Sequence, residues 1–378
     1  MSLLIAITVA INIWSLSCST VSSGEGLKTP LLQVNDKITG AAAVYKMITK
    51  RNTQPIVNGT SNHDDLPILW ENLEIWMSLL PESIRELPII QLAIPGSHNS
   101  MTYTIDKNND LGPDNPGLVN TVNLLFPNLT KTIAFNWAIN QKVDVTQQLD
   151  GGVRFLDLRL ATKKMDNKFY FVHGLYGGEI GPPLRQVADW LTKHPEEVVI
   201  MDFQHFYNFT EQHHRDLMYL IKDIFRGKMC PRFNAPGNVS LRWMNSRKYQ
   251  VIIIYRHFVV AADDNFWLDR LWPTPWAETV SRTRLVHFLN GGLRNRDRSI
   301  GFISQSLLTP DHGYISRHFF GNLEKALGNK MQRLTLDWVN SNYPGDGGMN
   351  VVMTDFVSHT DFLFVKTVIQ RNEKFLIA

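Results

Sequence analysis

From Leu66 onward the chain alternates short runs of aliphatic and β-branched residues with longer amphipathic stretches; before Leu66 it does not. The runs Pro88–Ala93, Gly152–Leu158, Phe169–Val172, Glu197–Phe203, Tyr249–Ile254, Ser299–Ser304 and Met349–Thr354 have the length and composition of buried strands. Three stretches carry a helical period. Pro183–Lys193 opens on prolines, Thr210–Phe225 has Thr210 as an N-cap, and His359–Gln370 follows the last run. Strands separated by helices specify parallel pairing. The pattern therefore predicts an α/β fold over residues 66–378: a single domain forming a closed or nearly closed, distorted TIM-type (β/α) barrel. An eighth strand is expected between Trp272 and Leu289.

Polar residues stand directly after these runs: His98, Arg159, His173, Gln204 with His205, Arg256 with His257, and Asp355. Parallel barrel strands all end on one face, which holds the active site, so residues separated by more than 250 positions are expected to converge. A single His or Arg after a strand is ordinarily a satisfied loop residue. Two imidazoles, a guanidinium and a carboxylate together suit phosphoryl chemistry, and a simple binding barrel would use the same convergence. His213 and His214 on one amphipathic helix, His287 on another, and His194 before Pro195 read as solvated.

The segment Leu3–Leu16 is apolar, too short for a membrane span, and followed by small polar residues. Residues 1–23 are read as a signal peptide without a positive n-region, and residues 24–65 as a loosely ordered leader. The expected location is thus secreted or in the lumen of the secretory pathway, with the cytoplasm as the alternative. Sequons at Asn58, Asn128, Asn208 and Asn238 would then be glycan acceptors, as in a glycoprotein. The chain has two cysteines; loss of Cys18 with the leader leaves Cys230 unpaired, so the mature fold rests on its core. A net charge of +3 and the lack of a basic stripe with interleaved aromatics argue against nucleic acid and permit transient contact with an anionic membrane surface. Phe266, Trp267, Trp272 and Trp276, with Val122–Leu125 and Phe126, are candidates for that contact.

Three stretches carry a resemblance. Ala93-Ile94-Pro95-Gly96-Ser97-His98-Asn99-Ser100, Arg154-Phe155-Leu156-Asp157-Leu158-Arg159 and Phe171-Val172-His173-Gly174 resemble, in order and spacing, motifs of the phosphatidylinositol-specific phospholipase C X-domain family. Val352-Met353-Thr354-Asp355-Phe356 adds a fourth match. The resemblance runs from about Trp76 to the C-terminus and is greatest to the animal group with an X domain and no added signalling modules. It implies a phosphoinositide lipid substrate, cleaved to diacylglycerol and an inositol cyclic phosphate. His98 would be the general base, Asp355 its orienting carboxylate, Arg159 the phosphate ligand, His173 the general acid and Asp157 a support for that acid. Arg256 would touch the inositol ring, and Gln204 would face the headgroup.

The sequence departs from the metal-independent bacterial members at Asn99, where they carry Asp; Asn recurs in the calcium-dependent eukaryotic enzymes. A neutral amide there brings no charge to His173, which keeps open a weakly active or inactive inositol-lipid-binding homologue. A third reading, a metal-dependent glycerophosphodiesterase or sphingomyelinase D-like barrel, needs a carboxylate cluster where this chain has Arg159. No metal or other cofactor is expected, and catalysis should be calcium-independent. Oligomeric state is not legible.

Overall fold

The protein is represented by a computed structural model that describes residues 71–114, 127–164, 166 and 168–376. The expected signal peptide and leader, the Asn58 sequon and the apolar Val122–Phe126 segment lie outside the described residues. Among these residues eight strands occur in chain order: β1 Ile94–Ser97, β2 Phe155–Thr162, β3 Phe169–His173, β4 Leu175–Glu179, β5 Val199–Tyr207, β6 Val251–Tyr255, β7 Ile303–Gln305 and β8 Val351–Thr354. Six of them pair in parallel in the order β6-β5-β2-β1-β8-β7, with helices between most of them. Their aliphatic side chains form one core; Val199–Met201 and Val251–Ile254 are fully buried.

The barrel wall has a seam between β6 and β7. Trp267 exchanges backbone hydrogen bonds with Ile253 (2.7 Å) and Tyr255 (3.0 Å), while the carbonyls of Leu271 and Pro273 accept from Gly301 and Ile303, each at 3.0 Å. This irregular stretch fills the place where an eighth strand was expected. Between Trp272 and Leu289 no strand forms, because Pro273 and Pro275 have no N–H to donate to a ladder. The helix Arg282–Asn295 follows instead.

The first strand also lies later than its apolar run predicts. Ile89–Gln91 is a single 3₁₀ turn, and the extended segment begins at Ile94. Buried amides secure this turn: Asn350 Nδ2 donates to the carbonyls of Ile89 (3.0 Å) and Leu92 (2.9 Å), and Asn372 Oδ1 accepts from the Ala93 amide at 2.8 Å. Gly96 in β1 lies so close to Phe155 that an added Cβ would meet its ring at 2.9 Å.

Strand β3 is antiparallel to β2 and forms a hairpin with β4, whose two glycines conceal it in the sequence. The predicted helices are present as Gly181–Lys193, Glu211–Ile224 and His359–Gln370, the last with left-handed backbone at Thr360, Asp361 and Phe362, so that its regular part begins after them. Thr210 caps the second of these by accepting from the His213 amide. His213 returns the bond through Nδ1, 3.1 Å from the Thr210 amide. His214 is buried rather than solvated, stacked on His257 at 3.8 Å and 2.7 Å from the Tyr255 hydroxyl.

Arg154, read from sequence only as part of a motif, is a fully buried clamp beneath the barrel. Its Nε and Nη2 reach Glu197 at 2.9 and 2.8 Å, and its Nη2 also donates to Glu74 O at 2.7 Å. Glu197 in turn accepts from Ser78 N at 2.8 Å, so the pair fastens residues 73–78 to the barrel. Cys230 is buried and has no disulfide partner among the described residues, its thiol pushed up to about 12 by burial. Among the described residues no helix is long and apolar enough to cross a membrane.

Candidate active site

β2 brings the two histidines together. Its lower half pairs with β1 and its upper half with β3 on the same edge, one parallel and the other antiparallel. β1 therefore ends upward at His98 while β3 ends downward at His173. Their ring centroids are 6.5 Å apart and nearly perpendicular. The sequence places His173 on a parallel strand end; the hairpin delivers it to the same face by the opposite route.

His98 Nδ1 lies 2.7 Å from Asp355 Oδ1, which also accepts from Asn140 Nδ2 at 2.8 Å. Its Nε2 lies 3.0 Å from Arg159 Nη2. A guanidinium has no lone pair to offer, so Nε2 accepts and the ring's proton resides on Nδ1, directed at Asp355. This is the tautomer a base needs. Gln141 donates to the carbonyls of His98 and Thr354, both at 3.0 Å, and ties the ends of β1 and β8 together.

Asn99 has a left-handed backbone (φ 44°), a conformation asparagine tolerates. The turn directs its amide N–H to Asp157 Oδ2 at 2.9 Å and its side chain to Asn140 Oδ1 at 3.0 Å. It thus continues the chain that holds Asp355, on the base side of the site. Asp157 is fully buried, 3.8 Å from His98 Nε2 and 3.9 Å from Arg159 Nη2. The support expected from Asp157 for the acid is therefore directed at the base and the guanidinium.

His173 Nδ1 donates to the Ala138 carbonyl at 2.7 Å, which leaves Nε2 for the cleft. Burial pushes its pKa down, with the Arg159 charge acting in the same direction; Asp114 and the Ala138 carbonyl oppose them. Sequence reasoning missed Asp114, Asn140 and Gln141. They lie on connections between elements, where no periodicity marks them.

A cleft of about 400 Å³ is lined by His98, Asp355, Arg159, His173, His205 and Asp114 on its polar side. Its other wall is apolar, with Ile133 and Trp137 from the helix Pro127–Ala138, and Leu307, Leu308, Phe319 and Leu323. His205 reaches this face through a bulge: the register of β5 slips so that Arg159 pairs with His205, and Gln204 has no opposite residue. Gln204 is buried, its amide 3.5 Å from Asp202.

Arg256 follows β6 as expected, but its Nε and Nη2 form a two-pronged pair with buried Asp202 at 2.8 and 2.7 Å, and Nη2 also donates to Trp272 O. Burial raises the Asp202 carboxyl to about 6, against the pull of Arg256. Neither Arg256 nor Gln204 lines the cleft. His257 turns outward onto His214. Of the described aromatic candidates for a membrane contact, Phe266, Trp267 and Trp272 are core residues, and Trp276, 45% exposed, lines the cleft.

A parallel barrel with an open seam, and two histidines facing one guanidinium across its mouth, defines an α/β barrel of the phosphatidylinositol-specific phospholipase C type. The fold matches that enzyme from Staphylococcus aureus with a TM-score of 0.56 at 17% identity, covering 80% of this chain and 98% of that one. For the enzyme from Listeria monocytogenes the values are 0.53, 18%, 79% and 98%. The family model PI-PLC X 1 matches residues 133–215. Human PI-PLC X domain-containing protein 3 is 36% identical over 304 residues, 79% of this chain and 94% of that protein. Human PI-PLC X domain-containing protein 1 is 34% identical over 315 residues, 80% and 93%. The chain belongs to the PI-PLC X domain-containing protein family.

Proposed function

We propose that this protein is a phosphodiesterase that cleaves phosphatidylinositol-like lipids to diacylglycerol and an inositol cyclic phosphate. The observation that carries the reading is the pair of oppositely directed histidines on either side of Arg159, one bonded to a carboxylate and the other to a backbone carbonyl. His98 Nε2 takes the proton of the inositol 2-hydroxyl as that oxygen attacks phosphorus. Asp355 holds the tautomer and stabilises the imidazolium. Arg159 turns from His98 to the non-bridging phosphate oxygens, where its paired donors follow the developing charge. The bond from phosphorus to the glycerol oxygen breaks, and His173 donates the Nε2 proton of its imidazolium to that oxygen.

The apolar wall beside this floor supports a lipid over a free inositol phosphate, because it offers the glycerol and proximal acyl carbons a dry surface. Contact with a membrane surface is then transient and confined to substrate uptake. The test is phosphorus NMR of phosphatidylinositol in mixed micelles with the purified chain. A cyclic phosphodiester signal that grows with native protein and not with His98→Ala is expected. No product at all, or equal product from the variant, refutes the reading.

A further inference from the structure

A general acid in a buried, cation-flanked site needs an anion to keep its proton, and the two residues expected to help His173 are committed elsewhere. Asn99 is uncharged and bonds Asn140; Asp157 faces His98 and Arg159. Among the described residues, three carboxylates line the cleft. Asp355 is held by His98, and Asp311 accepts from the Tyr314 amide as a helix cap. The third is Asp114.

Asp114 is carried by a loop laid against the β3-β4 hairpin. Gly112 N donates to Gly174 O and Tyr176 N to Asp110 O, each at 2.9 Å, with Leu111 bridged to Leu175. Its Oδ2 accepts from the amide of Gly174, the residue after His173, at 2.8 Å. Its Oδ1 is buried with no hydrogen-bond partner among the described residues. A carboxylate anchored at one oxygen to the residue after the acid, with its other oxygen buried against Gly112, favours the charged form of a nearby imidazolium.

We propose that Asp114 is the positioning anion of the general acid: it holds the proton on His173 that the leaving oxygen receives, and so supplies the charge Asn99 lacks. The charged and titratable groups that line the cleft with His173 are Arg159 on β2, His98 after β1, His205 and Tyr207 on β5, Asp355 after β8, Asp311 and Asp114. Arg159 and His98 disfavour the proton; Asp114 favours it. The proposal rests on the reading of His173 as the acid.

The test is Asp114→Asn in the full chain, which preserves an acceptor for Gly174, with Asp114→Glu as the charge-retaining control. Two readouts are taken: the NMR titration of the His173 ring, assigned with His173→Gln, and kcat on phosphatidylinositol micelles against pH. Asn at 114 should move the His173 titration to lower pH and reduce kcat about 10-fold at pH 8, with the loss shrinking as pH falls below the titration of the native ring. Glu should restore most of both. If Asn prevents folding, Asp114→Ser serves with the same readouts. An unchanged His173 titration, or an equal loss of kcat at every pH, overturns the proposal. A shifted titration in a chain without turnover upholds the coupling and overturns the phosphodiesterase reading, so the two failures are distinguishable.

Discussion

Arg159 Nη2 donates to His98 Nε2 across 3.0 Å, so in the resting site the phosphate ligand occupies the nitrogen that must accept the substrate's proton. An anionic phosphate is a better acceptor for a guanidinium than a neutral imidazole. Substrate binding would therefore free the base at the moment it is needed.

Arg159→Ala should lower kcat/KM about 10²–10³-fold, the usual cost of removing one donor that follows developing charge. Calcium should not be required, because the carboxylates beside the neutral Asn99 and Gln204 are already engaged, Asp157 by the Asn99 amide and the Arg159 cation and Asp202 by Arg256. Activity measured in saturating EGTA is expected to match that in buffer. Loss in EGTA with recovery in millimolar calcium would assign the charge stabilisation to a metal.

His98→Ala and His173→Ala should each reduce turnover about 10²–10⁴-fold with native circular dichroism. The pH profile of kcat/KM has a predictable asymmetry. An acid works protonated, so activity is lost as pH rises through its folded pKa. Burial, then Arg159, sets that pKa below the ordinary imidazole value. The optimum should lie on the acid side of neutrality, and a profile still climbing at pH 8 would contradict the role of His173.

Asn99→Asp should weaken the enzyme, even though a carboxylate is what an acid ordinarily wants nearby. The Asn99 amide donates to Asn140 Oδ1, and Asn140 donates to Asp355. A carboxylate at 99 has no proton for Asn140 and adds a charge next to Asp157. About a tenfold fall in kcat is expected. A gain would mean that residue 99 acts on His173 and not on the base.

Arg154→Ala should cost about 3–5 kcal/mol of stability, read from urea denaturation, since it strands the buried Glu197 carboxylate. The site lies at the other end of β2, so kcat of the folded fraction should change little. A loss of activity without a loss of stability would contradict the assignment.

Arg256→Met tests whether the residue after β6 serves the ligand or the wall. Asp202 occupies its Nε and Nη2, so the substitution should lower the melting temperature more than it raises KM. A large rise in KM at unchanged stability would place Arg256 on the inositol ring.

The amino-acid sequence by itself determined the parallel barrel, because strand-length apolar runs separated by amphipathic stretches admit few other arrangements. It also determined that His98, Arg159 and Asp355 meet, since parallel strands open onto one face in such a fold; His173 was expected there for the same reason and arrives by another. What stands beside each of them was decided only by tertiary structure. The hairpin that returns His173, the bulge that turns His205 inward, and the loop that brings Asp114 to Gly174 depend on pairings between segments whose local patterns are silent. Asp202 is likewise unmarked in sequence, and its pairing with Arg256 follows from the register of β5 against β6, which sets Asp202 opposite Ile254 near the end of β6. Periodicity reports which way a side chain faces; which charge it meets there is a property of the assembled barrel.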